Sequence, residues 1–288
     1  MMRIAVIGAD GQLGSDLVRT LARDEVIPLY YPEFDVTRPE RVRSILRGLR
    51  PDTVINTAAF HRVDECEDDP EMSFRVNSIA VRDLARLAAD LGFVLVHFST
   101  DYVFDGRKKA PYTEADPPNP LNVYAVSKLA GEYFLRALTE KHFLIRSCGL
   151  FGEASSREKG YNFVDKMIAL AEDGEPLRVV DDQWVSPTSA AELAERTSEL
   201  LRTDHYGLYH LTSEGQCTWF QFAQEIFSLL GRRPHLEPVD SKTFGAKARR
   251  PLYSVLENKR AKETGLRDFS SWNDALRAYL GKKGLIRR

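Results

Sequence analysis

Continuous apolar runs alternate with helical patterns through the first half of the chain. "RIAVIG" leads into a helical pattern from about Leu13, followed by "VIPLYY", a helix over 39–47, "DTVINTA", a long helix over 71–89 and "FVLVHFS". These runs hold four to six apolar residues without period-two alternation, as strands covered on both faces do. Strand and helix in turn predict an α/β fold with a doubly wound parallel sheet. Beyond "HFLIRSCGLFG" the rhythm loosens into the polar stretch "EASSREKG". A helical segment, the strand "LRVV", a helix over 189–201, "GLYHLTS" and helices over 219–230 and 272–280 follow. We expect a first domain over 1–150 and a smaller C-terminal α/β lobe over 151–288, with part of 177–212 returning to the first. No repeat or flexible linker separates them, so the lobes should pack closely.

Composition narrows the partners. In 288 residues, 40 lysines and arginines face 42 acids, a net charge of −2. That balance argues against nucleic acid or an anionic membrane surface and favours a small molecule. Cys66, Cys148 and Cys217 lie far apart without CxxC or Cys/His spacing, so buried thiols and no metal are expected. No apolar run approaches the roughly 18 residues of a membrane span. The start "MMRIAVIGADGQLG" enters patterned structure directly, and a cytoplasmic protein is the expectation.

"GADGQLG" sets Gly8, Gly11 and Gly14 at the junction of the first strand and first helix. Glycine there allows a tight turn and close approach of backbone to a pyrophosphate, and the helix N-terminus offers unpaired N–H donors. The first domain is therefore expected to be a Rossmann-like NAD(P)-binding domain, with Gln12 and Leu13 in the same loop, and the second lobe to bind mainly substrate. Asp35 and Val36 in "FDVT", and Ala58, Ala59 and Phe60 after the third strand, lie where a cofactor's adenine and ribose edges would pass. Glu33 could grip a ribose, but Pro32 leaves its direction open and no arginine stands beside it for a 2′-phosphate. NADPH and NADH both stay open.

Tyrosine precedes lysine by four residues twice, at Tyr124/Lys128 in "NVYAVSK" and at Tyr279/Lys283 in "YLGKK". Chance produces such pairs, so position must separate them. Tyr124 opens a helical pattern about 20 residues after a strand ending in "STDYVFDG", where ligands of nucleotide-binding sheets sit. Four residues apart on a helix share a face, which would put Lys128 near both the phenol and a bound ribose. A cation within about 4–6 Å would lower the phenol's pKa and make it a usable acid toward the alkoxide formed when hydride adds to a ketone. Thr100, or Ser99 beside it, would donate to the same oxygen. Tyr279 follows no such strand and reads as a helix end. His97 and His210 lie in apolar strand patterns and read as core or turn residues, and Trp219 and Phe222 as core.

Taken together, "GADGQLG", "VINTAAF", "VDECE", "VNSIA", "FSTDYVFDG", "YAVSKLAGE", "NFV", "DDQWVSPT" and "TWFQFA" resemble the dTDP-4-dehydrorhamnose reductase family of extended short-chain dehydrogenase/reductases, over nearly the whole chain. The resemblance implies NAD(P)H-dependent reduction of the C4 ketone of a dTDP-linked 6-deoxy-4-keto sugar, with Thr100, Tyr124 and Lys128 as the catalytic trio, Tyr124 and Lys128 also touching cofactor. It places His61, Val63, Thr100, Asp101, Tyr102, Asn162 and Arg250 toward substrate, and it implies a homodimer. Two departures stand out: His61 replaces a usual threonine, and Gly149 stands where the family commonly carries a tryptophan that helps hold the sugar. A related ketoreductase or epimerase acting on another sugar, and a non-catalytic NAD(P)-binding regulatory subunit, are the alternatives.

Overall fold

Strand β1 (Arg3–Ile7) shows how the sheet is covered. Successive side chains of a strand point to opposite faces, so Ile4 and Val6 join one apolar cluster while Ala5 and Ile7 join another. The sequence reads as an unbroken apolar run because both faces are buried. In the computed structural model, which describes residues 1–154, 160–172, 174 and 176–287, the chain continues through α1 (Gln12–Thr20), β2 (Glu25–Leu29), α2 (Pro39–Leu49), β3 (Thr53–Asn56), α3 (Val63–Asp68) and α4 (Pro70–Phe74). After a π-helical turn at Arg75–Ile79 come α5 (Ala80–Leu91), β4 (Val94–Thr100), α6 (Val123–Leu138) and β5 (His142–Ser147). Then follow β6 (Leu150–Phe151), α7 (Phe163–Leu170), β7 (Leu177–Val180), β8 (Trp184–Val185), β9 (Thr188–Ser189), α8 (Ala190–Leu200) and β10 (Gly207–His210). The last elements are β11 (Cys217–Thr218), α9 (Trp219–Leu229), β12 (Leu236–Val239), α10 (Ser241–Phe244), α11 (Lys259–Glu263) and α12 (Trp272–Lys282).

Six strands form one parallel sheet in the order β10-β5-β4-β3-β1-β2. One face is covered from α1 and α8 through Leu13, Leu17, Leu193 and Ala194, the other from α2, α5 and α6 through Val42, Leu46, Leu84 and Leu135. The doubly wound α/β expectation holds. Pro28 is tolerated in β2 because that strand is the sheet's edge. β10 joins the sheet beside β5 and α8 packs on α1, after the chain has passed through the elements of the C-terminal lobe. That lobe has its own apolar cluster, with Phe151, Met167, Leu177, Phe222, Ile226 and Leu276, and three two-stranded pairings, β12 with β7, β11 with β8 and β9 with β6. Of "EASSREKG", residues 155–159 lie outside the described residues.

The long helix expected over 71–89 is divided. A π-helical turn interrupts it and carries Asn77, fully buried, whose Oδ1 accepts the Phe60 N–H at 2.9 Å and whose Nδ2 donates to the Phe60 carbonyl at 2.9 Å. The extra residue in the turn lets this side chain reach sideways to the loop after β3. Apolar periodicity is unbroken by such a turn, so the sequence reads as one helix.

Candidate active site

The carboxyl ends of β1, β3, β4 and β5 open onto one crevice, the place where open α/β sheets bind ligands. Gly8 closes β1, and Gly11 is the N-cap of α1 without a side-chain hydrogen bond. A Cβ at Gly14 would fall 2.1 Å from the Gly8 carbonyl oxygen and 2.8 Å from Cα of Ala9, so only glycine lets α1 pack this closely on the loop. The first turn of α1 carries no acid, and Gln12 Nε2 is a buried donor without a hydrogen-bond partner among the described residues. A free donor and an acid-free first turn at a helix N-terminus suit a pyrophosphate, and the loop fits a dinucleotide. Leu13 belongs to the core behind it. Asp35 Oδ1 accepts the N–H and hydroxyl of Thr37 at 2.9 and 2.7 Å. Burial works to raise its pKa, but those bonds and Arg38 outweigh it and keep the carboxylate charged. Val36 packs against the neighbouring core, and Ala58, Ala59 and Phe60 form the loop that Asn77 holds.

β4 ends at Thr100, and α6 begins beside it. Asn122 caps α6, its side chain accepting the Ala125 N–H at 2.8 Å, which starts the helix one residue before Tyr124. The Tyr124 hydroxyl stands beside Thr100, whose hydroxyl works to lower the phenol's pKa and whose Oγ1 donates to Asp101 Oδ1 at 3.1 Å and accepts the Tyr102 N–H at 3.2 Å. The Tyr102 and Tyr124 rings meet edge to face, centroids 6.4 Å apart. Thr100, Asp101, Tyr102 and Tyr124 therefore converge as expected. Asp101 is 3% exposed, and burial pushes its carboxyl up to about 6, with the neighbouring Ser254, Cys148 and Thr100 acting against it.

Lys128 departs from its expectation. Its Nζ donates to the Phe98 carbonyl at 2.6 Å, behind the site, and lies 3.3 Å from His97 Nε2. Burial is the largest influence on the Tyr124 phenol, Asp101 adds to it, and the phenol is raised above its ordinary pKa rather than lowered. Lys128 is not among the groups that shift it. Burial also pushes Lys128 down to about 8, with Glu132 acting against. The site thus holds a firmly protonated tyrosine.

The remaining candidates divide. His61 Nδ1 lies 3.3 Å from the Ala59 carbonyl, and Val63 opens α3 just beyond. Arg250 binds Asp64 of α3 in bidentate fashion at 3.2 and 2.9 Å and stands near enough to Tyr102 to be influenced by it, tying the C-terminal loop to α3. Asn162 is drawn into structure: it caps α7, and its Nδ2 donates to the Gly152 carbonyl and the Tyr279 hydroxyl at 3.0 and 2.9 Å. Gly149 has φ +52°, and a Cβ there would meet Cη2 of Trp219 at 3.1 Å. The Trp219 indole, leaning on Phe163 with centroids 4.7 Å apart, covers that space from α9. Phe222 is core as expected, while Trp219 is only half-buried.

Beneath the site, Glu132 and Arg146 form a buried pair at 2.9 and 2.6 Å that also binds Ser99, fastening α6 to β4 and β5. Sequence reading missed this pair, Asn77 and the contact of His97 with Lys128. Two charged residues in otherwise apolar patterns, at Glu132 and Arg146, were the available signal. His210 accepts its place in the core, with Nδ1 3.0 Å from the Tyr112 carbonyl. Among the described residues no His/Cys/Asp/Glu group is arranged for a metal, and no helix is long and apolar enough to cross a membrane.

Known proteins share this arrangement over the whole chain. The sequence model described as "RmlD substrate binding domain" matches residues 2–284. The spore coat polysaccharide biosynthesis protein SpsK of Bacillus subtilis is 38% identical over 285 residues, covering 98% of each chain. A dTDP-4-dehydrorhamnose reductase of Burkholderia thailandensis is 36% identical over 293 residues, covering 96% of this chain and 97% of its own. The crystal structure of dTDP-4-dehydrorhamnose reductase from Bacillus anthracis in complex with NADP superposes with a TM-score of 0.93 at 35% identity, covering 98% of this chain and 99% of the other. With the glycine loop, the neighbouring Thr100 and Tyr124 and the fold in agreement, the chain belongs to the dTDP-4-dehydrorhamnose reductase family.

Proposed function

We propose that the protein reduces the C4 ketone of a dTDP-linked 4-keto-6-deoxy sugar, converting dTDP-4-dehydrorhamnose to dTDP-L-rhamnose with NADPH or NADH. The placing of the Thr100 hydroxyl beside a protonated Tyr124 carries this reading. Bound at the glycine loop, the cofactor supplies the hydride. Gly8, Gly11, Gln12, Leu13 and Gly14 would hold its pyrophosphate, Asp35 and Val36 its adenosine end, and Ala58, Ala59, Phe60, Tyr124 and Lys128 its nicotinamide half.

Tyr124 gives its proton to the oxygen at C4 as negative charge develops there, and Thr100 turns its hydroxyl from Asp101 to the same oxygen. Lys128, the weaker base of the two once the phenolate has formed, returns a proton to Tyr124. His61, Val63, Asp101 and Tyr102 line the sugar side. Arg250 would exchange Asp64 for the diphosphate, since a guanidinium matches either in bidentate fashion. Trp219 offers the sugar an aromatic wall above Gly149, which supports a second reading in which a differently configured C4 sugar is preferred. Asn162 would act on substrate only through α7. A cytoplasmic location and a homodimer belong to the same proposal, and light scattering on the purified protein checks the second.

The test mixes purified protein, each reduced cofactor and dTDP-4-keto-6-deoxy sugars of both C5 configurations, and follows loss of reduced-nicotinamide absorbance. Oxidation that needs both protein and sugar supports the reductase. Measurable cofactor binding without oxidation by any sugar points to the regulatory alternative.

A further inference from the structure

Lys128 reaches inward from α6 to β4 and is 2% exposed. Its Nζ donates to the Phe98 carbonyl at 2.6 Å and stands 3.3 Å from Nε2 of His97. His97, fully buried, has Nδ1 3.2 Å from Nδ2 of Asn56, its register partner on β3. Asn56 is buried as well, and its Oδ1 accepts the backbone N–H of Ala58 at 3.2 Å. A single line of polar contacts through three buried side chains runs from the half-buried loop after β3 to the lysine.

The direction of every bond follows from its first member. A backbone N–H only donates, so Ala58 fixes Oδ1 of Asn56 as the acceptor and turns Nδ2 toward His97. An amide NH₂ also only donates, so Nδ1 of His97 is bare and the ring proton sits on Nε2, facing Lys128. Lys128 then accepts that proton's bond with its lone pair while donating to Phe98, which is the pattern of a neutral amine. An ammonium would require a bare Nε2 and a protonated Nδ1. Two donors would then oppose each other between His97 and Asn56 until the amide turned over and released Ala58.

The surrounding charges do not counter this. Glu132, one turn along α6, is the carboxylate whose field reaches Lys128, and it is already paired with Arg146 of β5 and bonded by Ser99 of β4. Tyr124, one turn back, is held protonated. Burial pushes Lys128 down to about 8, and it takes His97 far below the usual imidazole range.

We propose that Asn56 and His97 are positioning residues that favour the neutral form of Lys128, so that in the cofactor-free protein it releases its proton more readily than an ordinary lysine, with the Ala58 N–H as the latch. The inference rests on the reductase reading for its functional meaning. Ala58 lies in the loop assigned to the cofactor, so the proton state of the lysine that resupplies Tyr124 is tied to the segment the cofactor touches.

The test titrates lysine side chains by NMR in the cofactor-free protein, Lys128 being assigned from the Lys128→Met spectrum. In the parent protein Lys128 loses its proton near pH 8. Asn56→Asp puts an acceptor opposite Nδ1, turns a bare Nε2 to the lysine, and raises that midpoint by at least about one unit, a tenfold gain in proton affinity. Asn56→Ala removes the donor without adding charge and gives a smaller rise in the same direction. Should either variant fold poorly by circular dichroism, the other suffices. A parent Lys128 that stays charged into the ordinary lysine range would overturn the proposal, as would midpoints unmoved or lowered by both variants. Because no cofactor or sugar is present, an inactive enzyme with the expected shifts would overturn the reductase reading alone.

Discussion

The chain carries two tyrosine–lysine pairs of the same spacing, and the fold puts them to opposite uses. At Tyr279 and Lys283 every polar atom is occupied: the phenol accepts from Asn162 at 2.9 Å, donates to Asp165 at 2.9 Å and lies 3.1 Å from Lys283 Nζ, which itself pairs with Asp165. This network fastens α12 to α7. At Tyr124 and Lys128 the phenol stands beside the Thr100 hydroxyl with the Tyr102 ring at its edge, and the lysine turns away to the Phe98 carbonyl of β4. Burial is the largest influence on both lysines and opposes their charge, but at Lys283 the bonds and charges of Asp165 and Tyr279 together outweigh it and raise the pKa, whereas at Lys128 the field of Glu132 does not. Spacing defines which side chains share a helical face. Partners decide whether that face is a lock or an acid.

The contrast yields predictions of decreasing size. Lys128→Met should lower turnover by about 10²–10⁴-fold, the range for loss of a group in the proton path. Its effect on stability should have the opposite sign to that of Lys283→Met. A folded pKa near 8 against 10.5 means the native state binds protons more weakly, a penalty fully present below pH 8 and gone above the unfolded value. Thermal melting at neutral pH should therefore show Lys128→Met unchanged or more stable and Lys283→Met less stable.

Asp101 tests the same site through its carboxyl. With the pKa raised from 3.8 to about 6, the native state binds the proton more tightly, so stability falls as pH rises across that window and the cost is complete above it. Asp101→Asn should flatten that dependence and raise neutral-pH stability by about 1–3 kcal/mol, read from denaturant unfolding at several pH values.

At the locked pair, Asn162→Ala removes both the α7 cap and the donor to Tyr279, and should cost about 1–2 kcal/mol of stability. Its turnover at saturating sugar should stay within about threefold of the parent, because it acts only on the packing of α7. Smallest of all, the exposed pair of Lys247 with Asp68 should matter by less than about 0.5 kcal/mol when Lys247 is replaced by alanine.

Much of this was written in local pattern. Ile4 to Ile7 announced a strand covered on both faces, and Gly14 announced a loop on which α1 packs without a Cβ. The preference for Tyr124 over Tyr279 rested on the strand ending in Thr100, and the structure brings Thr100 and Tyr124 into contact. What stayed hidden was set by pairing across distant strands. His97 looked like core because its neighbours in sequence are apolar, yet register with Asn56 and the reach of Lys128 bring it behind the site. The expected lowering of the Tyr124 pKa failed for a related reason: the i, i+4 rule fixes where a side chain starts, not which carbonyl its amine finds. Asn162 looked like a substrate contact and is a helix cap, because its partner Tyr279 lies 117 residues further along the chain. The Trp219 ring over Gly149 likewise comes from another element and leaves no mark near residue 149.

The most direct test compares Tyr124→Phe with Tyr279→Phe in one assay of reduced-nicotinamide oxidation by a dTDP-4-keto-6-deoxy sugar. The account predicts that Tyr124→Phe loses turnover by about 10²–10⁴-fold while binding cofactor and melting like the parent, and that Tyr279→Phe keeps its turnover but melts earlier. Full turnover in Tyr124→Phe would contradict the assignment of this tyrosine as the proton donor.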